Sequence, residues 1–203
     1  MWPTISSKTN DGIERIYDLP SRLLKDRIIL VTEEISPATS TSIVAQLLTL
    51  EAEDSNAPIT MYINSPGGCV SDGLAIYDIM QNLSCHIITI GVGMAASMAA
   101  VLLASGDERY CTKNATVMIH QPLGGAQGQA TEIEIAARRI RRIKSKLYTI
   151  LSQHSNVSYN TIARACERDT YLEPDEALEM GIIDGIIAEP LQQMQEQNTE
   201  EGR

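Results

Sequence analysis

The chain has 203 residues, which fits one domain at roughly 100–200 residues per domain and is enough to bury a core. Hydrophobic residues make up 43%, but with seven Tyr, one Trp and no Phe the core must be built from Ile, Leu, Val, Ala and Met. A formal net charge of −10 argues against nucleic-acid binding, because phosphates would be repelled over most of the surface.

Cys69, Cys85, Cys111 and Cys166 form no C-x-x-C and no pair with zinc-ligand spacing, so they read as reduced, buried, small hydrophobes in a cytosol. The N-terminus lacks the basic and apolar regions of a signal peptide, and no stretch reaches the roughly 18 apolar residues of a membrane span. Residues 1–18 are polar and read as a mobile segment. Arg27–Val31 is a short apolar run, a buried strand. Ser36-Pro37 is a helix start, with Ile43, Leu47 and Leu50 at helical spacing beyond it. Ile59–Ile63 is the next strand, closed by the turn Asn64-Ser-Pro-Gly-Gly68, and Leu74, Ile76, Tyr77, Met80 and Leu83 continue as a helix. His86–Ile90 is a third strand. The order β-α-β-α-β with short connections predicts a parallel sheet covered by helices.

Gly91–Ala100 reads as a tight turn into a helix of small residues. Arg109–Cys111 and Ala115–Ile119 are two further strands, and Gly124–Gln129 is a flexible, strand-capable loop. The longest helix runs from Thr131 to about His154, with Thr131 and Glu134 placed as a capping box. Ala136, Ile140, Ile143, Leu147 and Ile150 make a coiled-coil-like seam along it. Arg138, Arg139, Arg141, Arg142, Lys144 and Lys146 crowd its other faces; the cluster is a solvated or interfacial face or, against the acidic balance of the chain, a nucleic-acid surface. Short helices at Tyr159–Glu167 and Pro174–Met180 and a strand at Ile182–Ile187 follow, and the Gln/Glu-rich residues after Glu189 read as disordered.

No Walker A sequence, no G-x-S-x-G elbow and no H-E-x-x-H occurs. Of the three histidines, His86 opens a strand and His154 ends a helix, while His120 sits at a strand end beside a loop, where catalytic side chains commonly project. It is a general base or a satisfied structural histidine. Ser97 is a helix cap or packing residue, or a nucleophile at a helix N-terminus, whose N–H groups favour an oxyanion. Gly67 and Gly68 serve a turn or offer a backbone donor to an oxyanion hole.

Taken together, several segments resemble the Clp protease proteolytic-subunit family over nearly the whole chain: Ser21-Arg-Leu-Leu-Lys-Asp-Arg-Ile-Ile29, Tyr62-Ile-Asn-Ser-Pro-Gly-Gly68, Gly93-Met-Ala-Ala-Ser-Met98, Met118-Ile-His-Gln-Pro-Leu-Gly-Gly125 and Glu167-Arg-Asp169. The resemblance implies an α/β fold, the crotonase-like superhelix of parallel strands and helices with a protruding handle at about residues 124–154. It divides the chain into an axial segment (1–20), a peptidase domain (21–189) and a tail (190–203). It implies a serine endopeptidase with Ser97 as nucleophile, His120 as base and Asp169 orienting the imidazole. Gly68 and Met98 would supply the oxyanion hole, and Gly124, Gly125 and Gln127 would hold the substrate strand by β-augmentation.

It further implies two stacked seven-membered rings, homomeric or mixed with a second isoform, in the cytoplasm. Glu167 and Arg168 would make inter-ring ion pairs. A cleft including Tyr62 would dock an AAA+ unfoldase, and that partner would use the ATP, this chain needing no cofactor or metal. Unfolded proteins would be the substrates, with no role for nucleic acid or membrane. Ala99 stands where the family usually has Gly, and Met94 where it usually has Gln, which alters one pocket wall; a leader sequence is expected to be short or absent. An inactive ring subunit, a crotonase-type acyl-CoA hydratase and a binding module are the competing readings.

Overall fold

The computed structural model describes residues 2–8 and 14–187. The chain opens on two antiparallel strands, β1 (Thr4–Lys8) and β2 (Glu14–Asp18), in register from Thr4 opposite Asp18 to Lys8 opposite Glu14. The polar composition gave no sign of this pair: it is joined by backbone bonds with little burial, and Ile16 is 75% exposed. Helix α1 (Leu19–Lys25) follows, its N-terminus capped by Asp18, which accepts from the Ser21 N–H at 2.8 Å. The expected boundary at residue 21 therefore falls inside a helix. The tail from residue 190 lies outside the described residues.

The body alternates strands and helices: β3 (Ile28–Val31), α2 (Pro37–Glu53), β4 (Ile59–Ser65), α3 (Val70–Asn82), β5 (Ile87–Ala96), α4 (Met98–Ala104) and β6 (Glu108–Thr112). It continues with β7 (Thr116–Ile119), α5 (Ala130–Gln153), α6 (Tyr159–Ala165), β8 (Thr170–Leu172), α7 (Pro174–Glu179) and β9 (Gly185–Ile187). Strands β3-β4-β5-β6-β9 pair in that order, all parallel, so the chain has a mixed α/β fold with a mostly parallel sheet. The side-chain period of two divides the sheet into two faces. Ile29, Val31, Met61 and Ile63 are buried against Ile43 and Leu47 of α2 and Ile76 of α3. On the opposite face Leu30, Tyr62 and Tyr110 are only half-buried.

Strand β5 is longer than the sequence indicated. Gly91–Ala96 continues it instead of turning, and the extension bends around a bulge: Ile63 pairs with Gly91, but Ser65 pairs with Ala95. Gly93 takes φ 70 at the bend, and the Asn64 side chain accepts from the Met94 N–H at 3.2 Å to hold it. Beyond the bend β5 leaves β6 and pairs in parallel with β7 through Met94–Ala96. Every residue of α4 is buried, so this helix of small and aliphatic side chains fills the centre of the molecule.

Helix α5 starts one residue before its expected position. Its N-cap is Gln129, whose N–H donates to Glu132 at 3.1 Å, so Glu132 takes the role expected of Glu134. Only its C-terminal half is covered, by way of Leu147, Tyr148, Ile150 and Leu151, while Ile133 and Ile135 are 44% and 55% exposed. Residues 122–127 form no strand within a single chain, since a strand needs a paired edge and none stands beside them.

Candidate active site

Three strand ends converge at one place. The β5–β7 register pairs Ala96 with Met118, and the β7–β8 register pairs Ile119 with Thr170 antiparallel. One step past those pairs stand Ser97, His120 and Asp169. Strand β8, three residues long and not visible in the sequence, is what brings the carboxylate to the imidazole. His120 Nε2 lies 2.8 Å from Ser97 Oγ, and His120 Nδ1 lies 3.1 Å from Asp169 Oδ1. With the ring proton on Nδ1, the imidazole donates to Asp169 and leaves Nε2 to accept from the serine hydroxyl. The His120 side chain is 12% exposed and that of Asp169 59%.

Ser97 is held in an unusual backbone conformation, φ 55 and ψ −120. These are the angles of the first central position of a type II′ turn, which favours glycine. The Ser97 N–H donates to the Met118 carbonyl at 2.8 Å, pinning the turn to β7 just before His120. The turn converts a strand into a helix within one residue and leaves Ser97, half-buried, lining a cleft, the geometry of a nucleophile elbow without its usual sequence.

Gly67 lies against this turn and Gly68 against Ile35. A Cβ on Gly67 would meet the Ala96 carbonyl oxygen at 2.6 Å and the Met98 nitrogen at 2.9 Å, and one on Gly68 would meet the Ile35 carbonyl oxygen at 2.2 Å. The Gly67 carbonyl accepts from the Ile35 N–H at 2.7 Å. In a trans peptide the N–H opposes the carbonyl, so the Gly68 N–H points away from Ile35. Met98 is the first residue of α4 and its N–H has no intrahelical acceptor. Among the described residues neither N–H meets a loop or side-chain acceptor, and both residues line the same cleft as Ser97 and His120.

The cleft has a volume of about 500 Å³, with Val70, Val101, Ile143 and Leu147 among its walls. Arg139, read from the sequence only as part of a basic face, also lines it; its four-residue spacing from Ile143 was the available signal. Leu123 lines the cleft, whereas Gly124, Gly125 and Gln127 are exposed and are not among its lining residues, Gly124 lying beside the Ile140 side chain of α5.

Behind the site the Gln121 N–H donates to the Cys166 carbonyl at 2.8 Å and its amide to the Glu167 carbonyl at 3.0 Å, which fixes the spacing between the His120 and Asp169 segments. Lys144 of α5 donates to Gln121 at 2.9 Å and lies 3.4 Å from the Glu167 carboxylate. Arg168 is exposed. Tyr62 sits elsewhere, half-buried on β4, where burial pushes its phenol above the ordinary value. A separate cleft beside β3 and α2 has Trp2, Ile28, Leu30 and Ile43 among its lining residues, together with Thr32, Glu33 and Gln46. Among the described residues no group of three or more His, Cys, Asp or Glu could hold a metal, and no helix is long and apolar enough to cross a membrane.

The family model described as Clp protease matches residues 11–190.

Proposed function

The chain belongs to the Clp protease family and is a Clp-type peptidase; on that premise we propose that Ser97, His120 and Asp169 are the catalytic triad of a serine endopeptidase. The observation that carries the reading is the unbroken relay from Ser97 Oγ through the imidazole to Asp169, at 2.8 and 3.1 Å. His120 Nε2 takes the hydroxyl proton as Ser97 Oγ attacks the scissile carbonyl. The oxyanion that forms accepts from the Gly68 and Met98 N–H groups. The imidazolium, held by Asp169, returns the proton to the leaving amine, and water then releases the acyl group by the same steps in reverse roles. Nothing in this sequence of proton transfers calls for a metal or a cofactor.

The finer reading follows the family. The fold is the crotonase-like superhelix, with α5 as the handle. The exposed Ile133 and Ile135 on its N-terminal half support packing against another copy, as in two stacked seven-membered rings, homomeric or mixed. Gly124, Gly125 and Gln127, unpaired here, then gain a strand partner in substrate or in a neighbouring copy. Glu167 and Arg168, both exposed beside Asp169, make ion pairs between rings, and assembly covers the half-open carboxylate of the triad. The half-exposed sheet face around Tyr62 docks an AAA+ unfoldase that hydrolyses ATP and threads unfolded protein into a cytoplasmic chamber.

Cleavage of a fluorogenic peptide and particle mass, measured together on wild type and Ser97→Ala, test this. The variant should keep the ring mass and lose nearly all cleavage; a variant as active as wild type overturns the triad.

A further inference from the structure

The cleft beside Ser97 carries a charge that the proton relay does not use. Residues 139, 143, 147 and 151 of α5 are spaced by four and share one face of the helix, all turned to the cleft. Burial deepens along this row. Arg139 is exposed, Ile143 half-buried, and Leu147 and Leu151 are 7% and 3% exposed. With a rise of 1.5 Å per residue, Arg139 stands about 18 Å from Leu151 along the axis, at the mouth of a pocket whose depth is apolar.

No carboxylate lines this cleft. Among the described residues none stands within ion-pair distance of Arg139 either. Among the described residues Arg139 is the one Lys or Arg that lines this cleft, Arg142 lining a separate one with Leu74 and Tyr77, so the mouth carries a single local cation on a chain whose formal net charge is −10. A guanidinium presents a planar fork of donors that fits a carboxylate in bidentate fashion.

Resting on the peptidase reading above, we propose that Arg139 is a specificity-determining residue that receives a carboxylate of the substrate. Cleavage then favours sites where an apolar side chain fills the pocket and a carboxylate lies within two residues of the scissile bond. That carboxylate is an acidic side chain or the C-terminus of a short peptide. The local cation also offsets the repulsion that so acidic a protein exerts on acidic segments.

The test uses the assembled full-length protein and internally quenched peptides with Leu before the scissile bond. Glu, Gln or Lys is scanned through the two positions on either side, and each peptide is made with a free and an amidated C-terminus. An exposed ion pair is worth a factor of about two to five, so kcat/KM for Glu should exceed that for Lys by this factor at one or more positions and converge in high salt. Arg139→Gln should erase the difference, Arg139→Lys keep part of it, and Arg139→Glu reverse it. A difference between free and amidated peptides that Arg139→Gln also erases assigns the role to the C-terminal carboxylate.

Anisotropy of labelled Glu and Lys peptides on Ser97→Ala, with and without Arg139→Gln, reads the same preference without turnover. A Glu-to-Lys ratio unchanged by Arg139→Gln in both measurements overturns the proposal and leaves the peptidase reading standing. Binding that discriminates through Arg139 while wild type cleaves no peptide overturns the peptidase reading instead.

Discussion

Gly67 faces Ser97 so closely that a Cβ added to the glycine would stand 2.8 Å from the Ser97 Cβ. The other two contacts are the Ala96 oxygen and the Met98 nitrogen, backbone atoms that cannot rotate away, and Gly67 itself has φ +88. Gly67→Ala must therefore displace the segment that carries both the hydroxyl and the Met98 N–H. Loss of one oxyanion donor costs about 10²–10³ in rate, and a displaced nucleophile adds to that. Peptide cleavage by Gly67→Ala should fall at least this far. Activity within tenfold of wild type would show that the turn does not support the site.

The strain at Ser97 predicts a trade between stability and function. Non-glycine residues in such regions carry about 1–3 kcal/mol of strain, while a glycine costs about 0.4–1 kcal/mol through the unfolded state. The first term is the larger, so Ser97→Gly should be more stable than Ser97→Ala by about 1 kcal/mol, and Ser97→Val less stable than both. Thermal midpoints of the three variants give the order; a glycine variant that melts below the alanine one contradicts the strain argument.

Asp169→Asn should retain the fold and lose cleavage by about 10³–10⁴, because an amide at that position no longer holds the Nδ1 proton or stabilises the imidazolium. Single-turnover acylation with an active-site titrant measures this without product release. A loss under tenfold would mean that solvent, which reaches 59% of the Asp169 side chain in the single chain, already does the carboxylate's work.

How these groups meet was only partly legible. The strands carrying Ile29, Met61 and Ile87 and the Ser36-Pro37 helix start follow from period and capping; Thr39 N–H does donate to Ser36 Oγ at 3.3 Å. Ser97 and His120 could be singled out because a helix start and a strand end are informative places. The route from His120 to Asp169 could not, since Thr170–Leu172 is too short to show a period and is a strand only because β7 lies beside it. Gly91 and Gly93 were read as a turn because glycine breaks strands, whereas here they permit a bulge that neighbours on both sides sustain. The start of α5 was misplaced because two S/T/Q-x-x-E pairs overlap there, and only Glu132 reaches back to an N–H.

Thiol chemistry should separate the four cysteines. Burial pushes the Cys111 thiol to about 11 and the Cys166 thiol to about 12, and raises Cys85 as well, so these are neutral and shielded at pH 7. Cys69 is exposed, occupies the N-cap position of α3 without a side-chain hydrogen bond there, and lines the cleft beside Ser97. Treatment of the native protein with N-ethylmaleimide should give one adduct, at Cys69, and slow cleavage by crowding the cleft. Peptide mapping that finds Cys111 or Cys166 labelled first would contradict the burial.

His154 and Asp184 destabilise the fold in acid through different windows. Desolvation first, then the Arg109 charge, holds the His154 imidazole below its ordinary value of about 6.5. The unfolded chain therefore takes up this proton first, and stability falls as pH drops below about 6.5 until the folded-state value is passed. Asp184 is lowered by its hydrogen bonds and ion pair with Arg109, so its contribution is present above the ordinary carboxylate range and is lost as pH falls through the folded value. Of these two groups, the histidine is the one whose window falls between pH 7 and 5. His154→Gln should flatten the decline of the thermal midpoint across that interval while leaving the steeper loss below pH 4, to which Asp184 contributes. It should also lower the midpoint at pH 7, because the Tyr77 hydroxyl loses its partner at 3.2 Å. An equal slope in the two proteins between pH 7 and 5 would place the proton uptake elsewhere.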